Sequence, residues 1–185
     1  MIFEPTPVVG AYVVRLELHR DERGFFARTF CVDEFEAAGI PAIFVQQSLA
    51  RSRRRGTLRG MHYQLQPHGE DKFVRCVHGG IFDAIADLRP GSASFRRVFT
   101  VKLDALSGDG LFVPRGCAHG YQTLEDDTDV LYAMSSRYAP QAARAIRYDD
   151  PGLAIAWPVS EPILSAADRA APGLEAALAE VAARC

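Results

Sequence analysis

Long apolar runs are missing from this sequence, and none approaches the ~20 residues that a bilayer-crossing helix needs. A surplus of one charge is missing too. The 21 Lys and Arg against 23 Asp and Glu leave a formal net charge of -2, so no global field favours nucleic acid. The one basic run, Arg51 to Arg55, ends at Gly56 and reads as a solvated loop. Cysteine is sparse: Cys31, Cys76, Cys117 and Cys185 include no C-x-x-C pair, which argues against a structural zinc site. The final Ala-Ala-Arg-Cys is not a prenylation box. Met1 to Gly10 shows no basic start followed by an apolar run, so no secretory signal is expected. These absences lead to an expectation of a cytoplasmic protein with four free thiols, no membrane and no nucleic-acid partner.

What is present suits one globular domain over residues 1–185. Apolar residues make up 48% of the chain and charged residues 24%, enough for a single sizeable core. No internal repeat or low-complexity tract interrupts it. Short apolar or alternating runs recur at Ala11–Leu18, Ile43–Leu49, Thr57–Gln64, Phe73–Val77, Gly80–Asp87, Ser94–Lys102, Gly110–Val113, His119–Leu124 and Asp129–Ser135. Gly- and Pro-rich turns separate them, which indicates an all-β sandwich or barrel. In Phe82 to Leu88 the acids Asp83 and Asp87 alternate onto one face. Two segments have helical character. Val32–Ala38 has acids in its first turn and Gly39 behind it, and Pro172–Arg184 forms a peripheral C-terminal helix. The stretch between Tyr148 and Asp168 is expected to hug the surface without regular structure.

Two Gly/Pro/His patterns carry the first chemical clue. One is Gly56-Thr-Leu-Arg-Gly-Met-His62-Tyr-Gln64 with Glu70 and Gly79 behind it; the other is Gly110-Leu-Phe-Val-Pro114-Arg-Gly116-Cys-Ala-His119. They resemble the two motifs of the cupin superfamily, a double-stranded β-helix or jelly roll. Metal-binding cupins carry His-x-His in the first motif, whereas Gln64 stands here in the second His position. His62 and His119, with Glu70 at most, fall short of the three or four ligands a transition metal wants, so no metal is expected. By strand alternation His62 shares a face with Leu58, Gly60 and Gln64, and Arg59 faces away unless a bulge intervenes. An interior holding His, Gln and Lys indicates a ligand cavity, not a filled core.

Over nearly its whole length the chain also resembles the dTDP-4-dehydrorhamnose 3,5-epimerase family. The matching segments are Asp21–Phe26, Gly56–Gln64, Lys72–Gly79, Asp87–Ser92, Val113–Gly120, Leu131-Tyr132, Tyr138–Pro140, Tyr148–Pro151 and Ile163–Asp168. The resemblance implies a cupin-type barrel with short peripheral helices, usually a homodimer, without a cofactor. It implies a nucleoside-diphosphate 4-keto-6-deoxyhexose inverted beside its ketone, in deoxysugar biosynthesis. By motif, His62 is similar to the general base, Asp168 to the carboxylate that orients it, Lys72 to the cation beside the enolate, and Tyr132 to the acid on the opposite face. Arg23, Arg59 and His119 resemble diphosphate and sugar contacts, Tyr138 resembles the residue that stacks on the base, and Phe26, Gln46 and Ser48 complete the binding set.

Those residue types suit the chemistry. A carbon-bound hydrogen beside a ketone is acidic only when the enolate is stabilised, and inversion needs a proton-transfer group on each face. Histidine has an unperturbed pKa of ~6.5, and a carboxylate on one ring nitrogen fixes the tautomer that leaves the other bare. A buried ammonium offsets the oxyanion. Taken singly, each residue also has a plain reading: Lys72 as an exposed ion pair with Asp71, Tyr132 as core, Asp168 as a cap, Arg23 as a turn residue. The family's usual Glu, Asn, Glu and Lys are replaced by Arg28, Ser48, Ala143 and Ala167, which points to an altered substrate. A single-centre epimerase, a ketoisomerase, a metal-dependent cupin and a non-catalytic sugar-binding cupin stand as alternatives.

Overall fold

The computed structural model describes residues 1–41 and 43–184. Two antiparallel sheets face each other. The six-stranded sheet runs β1(Ile2–Pro5), β2(Tyr12–Arg15), β10(Gly110–Val113), β7(Lys72–His78), β12(Thr128–Met134), β5(Gln46–Ser52). The five-stranded sheet runs β13(Ala143–Ala145), β6(Leu58–Gln64), β11(Cys117–Thr123), β8(Gly80–Asp87), β9(Val98–Asp104). A hairpin of β3(His19–Asp21) and β4(Gly24–Phe26) stands apart from both. This is the cupin-type jelly roll.

Each sheet is apolar on both faces, because the helices cover what the sheets do not cover for each other. Between the sheets lie Val13, Val74, Cys76, Ile81, Ile85, Leu103, Leu111, Val113 and Val130. Behind the six-stranded sheet, α1(Val32–Ala37) drives Phe35 against Phe73 and Phe112. Behind the five-stranded sheet, α3(Leu174–Ala182) lays Leu174, Ala177 and Leu178 on Met61, Tyr63, Ala84 and Ala86. The alternation read from the sequence therefore marks an inward and an outward apolar face, not a buried and a solvated one.

Several expected boundaries shift. β5 begins later than Ile43 and reaches Ser52, so Arg51 leaves the expected basic loop and forms a two-pronged bond with Asp129 at 2.8 and 2.6 Å. β9 starts at Val98, not Ser94, because Ser94 caps the turn before it through Asp87. β1, β3, β4, β13 and α2(Ala166–Arg169) are too short to give a periodic signal. Gln122 replaces part of a strand ladder by clamping Val159, giving and taking a hydrogen bond at 2.8 Å each. Cys31, Cys76 and Cys117 are free thiols, while Cys185 lies outside the described residues. Burial pushes the Cys76 and Cys117 thiols up to about 12, which keeps them unreactive.

Asp87 shows how a motif residue can serve the fold alone. Its carboxylate takes hydrogen bonds from the Arg89 backbone and guanidinium and from the Ser92 and Ser94 hydroxyls at 2.6–3.0 Å. Burial pushes the carboxyl up, but these donors outweigh it and hold it at about 2 against an ordinary 3.8. A depressed value stabilises the fold above the unfolded pKa and loses that contribution as pH falls through the folded one. The window is therefore pH 4 to 2, and the contribution is about 2 kcal/mol. Asp87→Asn is expected to lower urea stability by at least that amount at pH 7, with the gap to wild type narrowing towards pH 2. A gap that ignores pH would refute the assignment.

Candidate active site

The site begins with a fault in strand pairing. On β11, His119 sits opposite His62, but Tyr121 sits opposite Arg59, so β6 contains one residue more than its partner. The extra residue lies at Gly60, whose φ is +143° and whose Cα packs on Gly120. Directly opposed residues on paired strands share a face. His62 and Arg59 therefore both turn inward with His119 and Tyr121. Strict alternation had Arg59 facing away; the bulge reverses that expectation. It also turns Leu58, opposed to Gln122, onto the outer face. Gln64 stays on the His62 side of β6, opposite Ala143 as His62 is opposite Ala145.

His62 points into the open end of the barrel with nearly half its side chain exposed, and its Nε2 meets Asp168 Oδ1 at 2.5 Å. Asp168 lies 106 residues along the chain. It arrives because residues 163–165 run beside β6, with Leu58 N–H donating to Ile163 O and Ile163 N–H donating to Gly56 O, each at 2.9 Å. There α2 starts, and Ser165 caps it by accepting from Asp168 N–H at 3.0 Å while its hydroxyl donates to Asp168 Oδ2 at 2.8 Å. Both carboxylate oxygens are thus held. Burial pushes the Asp168 carboxyl up, but the His62 hydrogen bond and charge, Ser165 and Arg59 outweigh it and set it below the usual range. An ionised Asp168 holds the ring by Nε2 and leaves Nδ1 as the nitrogen open to a reaction partner.

Lys72 and Tyr132 stand on neighbouring strands with the same inward parity, since Met134 opposes Lys72 and Tyr132 opposes Val74. Lys72 is buried; its Nζ is 3.3 Å from Glu70 Oε1 and donates to His62 O at 3.3 Å. The exposed pair with Asp71 does not form. Asp71 is itself buried and binds the guanidinium of Arg115. Gln64 holds the loop beneath, donating to His68 O and Glu70 and accepting from Ala139 N–H at 2.7 Å. His119 is buried, and its Nε2 meets Asp83 Oδ1 at 2.7 Å. The Tyr132 ring stands edge-on to His119, centroids 6.1 Å apart. Burial holds the Tyr132 phenol well above its ordinary value. Among the described residues no three His, Cys, Asp or Glu side chains are grouped to hold a metal ion.

Other expected site residues are placed around this centre or away from it. Ser48 opposes Tyr132 and Gln46 opposes Met134 on edge strand β5, with the inward parity. Gln46 Oε1 also accepts from Tyr138 N–H at 3.2 Å and fixes the exposed Tyr138 at the rim. Arg23 and Phe26 are not brought to His62 within this chain. They sit on the β3–β4 hairpin, where Arg23 pairs with Asp21 and Phe26 is exposed. Arg28 pairs with Glu34, which also takes the Met1 ammonium.

Comparison with known proteins decides the family. A family model described as dTDP-4-dehydrorhamnose 3,5-epimerase matches residues 5–176. The chain belongs to the dTDP-4-dehydrorhamnose 3,5-epimerase family. One relative, the dTDP-4-dehydrorhamnose 3,5-epimerase of Shigella flexneri, is 38% identical over 164 residues, 88% of this chain and 90% of that one. The solved Bacillus anthracis dTDP-4-dehydrorhamnose 3,5-epimerase, with TDP and PPi bound, superposes with a TM-score of 0.91 at 35% identity, covering 94% of this chain and 99% of that one. A 3'-monoepimerase from Streptomyces bikiniensis, in complex with dTDP-quinovose, superposes at 0.87 with 36% identity, covering 97% and 90%.

As a member of this family, the chain holds partners that single residues did not announce. Asp83 and Ser165 escaped the sequence reading as site residues. The signal for Asp83 was present in the acid alternation of β8, which puts it on one face with Asp87. Ser165 had a capping signature three residues before Asp168, but nothing local pointed it at His62. Ala143 and Ala167, two departures from the family pattern, lie on β13 opposite Gln64 and in α2 beside Asp168.

Proposed function

We propose that this protein inverts carbon 3, carbon 5 or both of a nucleoside-diphosphate 4-keto-6-deoxyhexose, as an isomerase of deoxysugar biosynthesis. The observation that carries this reading is the His62–Asp168 pair with Lys72 and Tyr132 turned into the same barrel mouth. His62 Nδ1 removes the proton beside the ketone, and the electron pair moves onto the carbonyl oxygen. The Lys72 ammonium offsets that oxyanion. Tyr132 then delivers its proton to the opposite face of the carbon, the ketone reforms, and solvent restores both groups to their starting protonation. Nothing is oxidised or reduced. Arg59 and His119 serve the sugar and diphosphate, and Ser48, Gln46 and Tyr138 line the nucleotide side.

A homodimer and a cytoplasmic location belong to the same reading. Val45, Leu49, Phe25 and Phe26 are exposed apolar side chains around edge strand β5 and the free hairpin, a surface that a second copy would cover. No helix among the described residues is long and apolar enough to cross a membrane. The chain acts as one domain, since β1 and α3, near its two ends, both pack on the barrel.

The test is proton exchange in heavy water with a panel of nucleoside-diphosphate 4-keto-6-deoxysugars, beginning with the dTDP compounds that the relatives' names specify. Deuterium uptake at both flanking carbons identifies a double epimerase, and uptake at one carbon a single-centre enzyme. No uptake at either carbon with any member of the panel would sink the reading.

A further inference from the structure

We propose that Tyr121 is a positioning residue for the epimerisation, its hydroxyl being the donor that stabilises the Tyr132 phenolate as Tyr132 gives its proton to carbon. The inference rests on the function proposed above and adds to it a residue outside the acid–base set. Tyr121 is among the largest fully buried side chains, and its hydroxyl is one of two buried side-chain atoms without a hydrogen-bond partner among the described residues. The other is Asp83 Oδ2, from the residue directly opposite Tyr121 on β8. Buried hydroxyls are rarely left unpaired, because each such group costs about as much as a lost hydrogen bond. An unpaired one between catalytic side chains is a group held ready for a state other than the resting one.

The neighbours say which state. The Tyr121 ring lies 6.3 Å from that of Tyr132 and 6.5 Å from that of His119. Burial pushes the Tyr121 hydroxyl up, with Tyr132, Arg59 and Ser52 acting in the opposite sense as its polar surroundings. Burial holds the Tyr132 proton in place as well, and Tyr121 and the charge of Asp83 add to that, against Arg59. Tyr132 is therefore a reluctant acid in the resting protein. When its proton moves to carbon, negative charge appears on a phenol oxygen deep in protein. Asp83, with Oδ1 on His119, can only repel that charge. Tyr121 is a neutral donor beside it whose hydrogen is not engaged elsewhere. A hydrogen bond formed only as charge develops lowers the barrier without tightening substrate binding.

Tyr121→Phe removes one oxygen and keeps the ring. With the panel substrate that exchanges fastest in wild type, inversion is expected to slow about 10–100-fold, the size of one hydrogen bond to a charged group. KM is expected to hold. Deuterium wash-in catalysed by His62, which returns a solvent proton to the same face, should persist, so the ratio of exchange to inversion rises by the same factor. The thermal midpoint should stay equal or rise, since an unpaired buried hydroxyl is gone. Adding Tyr121→Phe to Tyr132→Phe should change nothing further. Exchange and inversion falling together, or an unaltered ratio, would overturn the role of Tyr121. Absence of exchange in the wild-type protein would instead strike at the epimerase reading itself, and that is read first.

Discussion

His62→Ala is expected to lower turnover by about 10²–10⁴-fold and to abolish deuterium uptake from heavy water at the carbons beside the ketone. Two features make the effect large. The imidazole is the only group in the site held by an ionised carboxylate on one nitrogen with the other open to the barrel mouth, among the described residues. Its orientation depends on Asp168, which Ser165 and the chain around residues 163–165 hold in place independently of His62. In the proposed mechanism, removing the ring therefore removes the base and leaves the Asp168 carboxylate behind. The fold should hardly notice. The His62 side chain is nearly half exposed and belongs to none of the three apolar clusters. A thermal midpoint within a few degrees of wild type with turnover unchanged would remove His62 from the mechanism.

The second large effect concerns a residue with no side chain. Gly60→Ala is expected to destabilise the protein by about 3 kcal/mol or more, which for a chain of this size lowers the thermal midpoint by roughly 6–12 °C. A Cβ built at Gly60 would lie 2.4 Å from the Cα of Gly120 and 3.2 Å from the carbonyl oxygen of His119. Both neighbours are backbone and cannot swing aside, and φ of +143° is strained for any L side chain. Relief could come only by opening β6 from β11 or by erasing the bulge, and either would separate Arg59 and His62. What folded protein remains should thus lose activity more steeply than stability. Gly91→Ala is the control: nothing lies within 4 Å of the added carbon, and the variant should behave as wild type in calorimetry. Equal midpoints for the two variants would show that the close approach of β6 and β11 is not rigid.

Arg28 bears on substrate choice. From the sequence alone, Arg28 could suit the pocket to a different anionic handle on the substrate, since an acid is usual there in the family. In the structure it is paired with Glu34 and lies in a surface depression with Met1, Glu17, His19 and Phe26. Its charge is answered locally, so the changed pocket lies at Ser48, whose inward parity puts it beside Tyr132.

The amino-acid sequence by itself determined the all-β class, nine of the strands to within a few residues, both longer helices and the family. These are properties of residue type and short spacing: apolar alternation with a period of two, turn residues at fixed intervals, and motifs a few residues long. The tertiary structure decided which of the chemical residues meet. Asp168 reaches His62 because a segment without regular structure lies along β6 and ends in a capped turn, a contact no local pattern encodes. His119 takes Asp83 from a strand that only sheet order makes its neighbour. Arg59 joins His62 because one inserted residue breaks the alternation from which its direction had been inferred, and a one-residue change of register reverses every side chain beyond it. Local preference can say that a strand is present; where it faces depends on the backbone packed against it, here the Cα of Gly120 against Gly60.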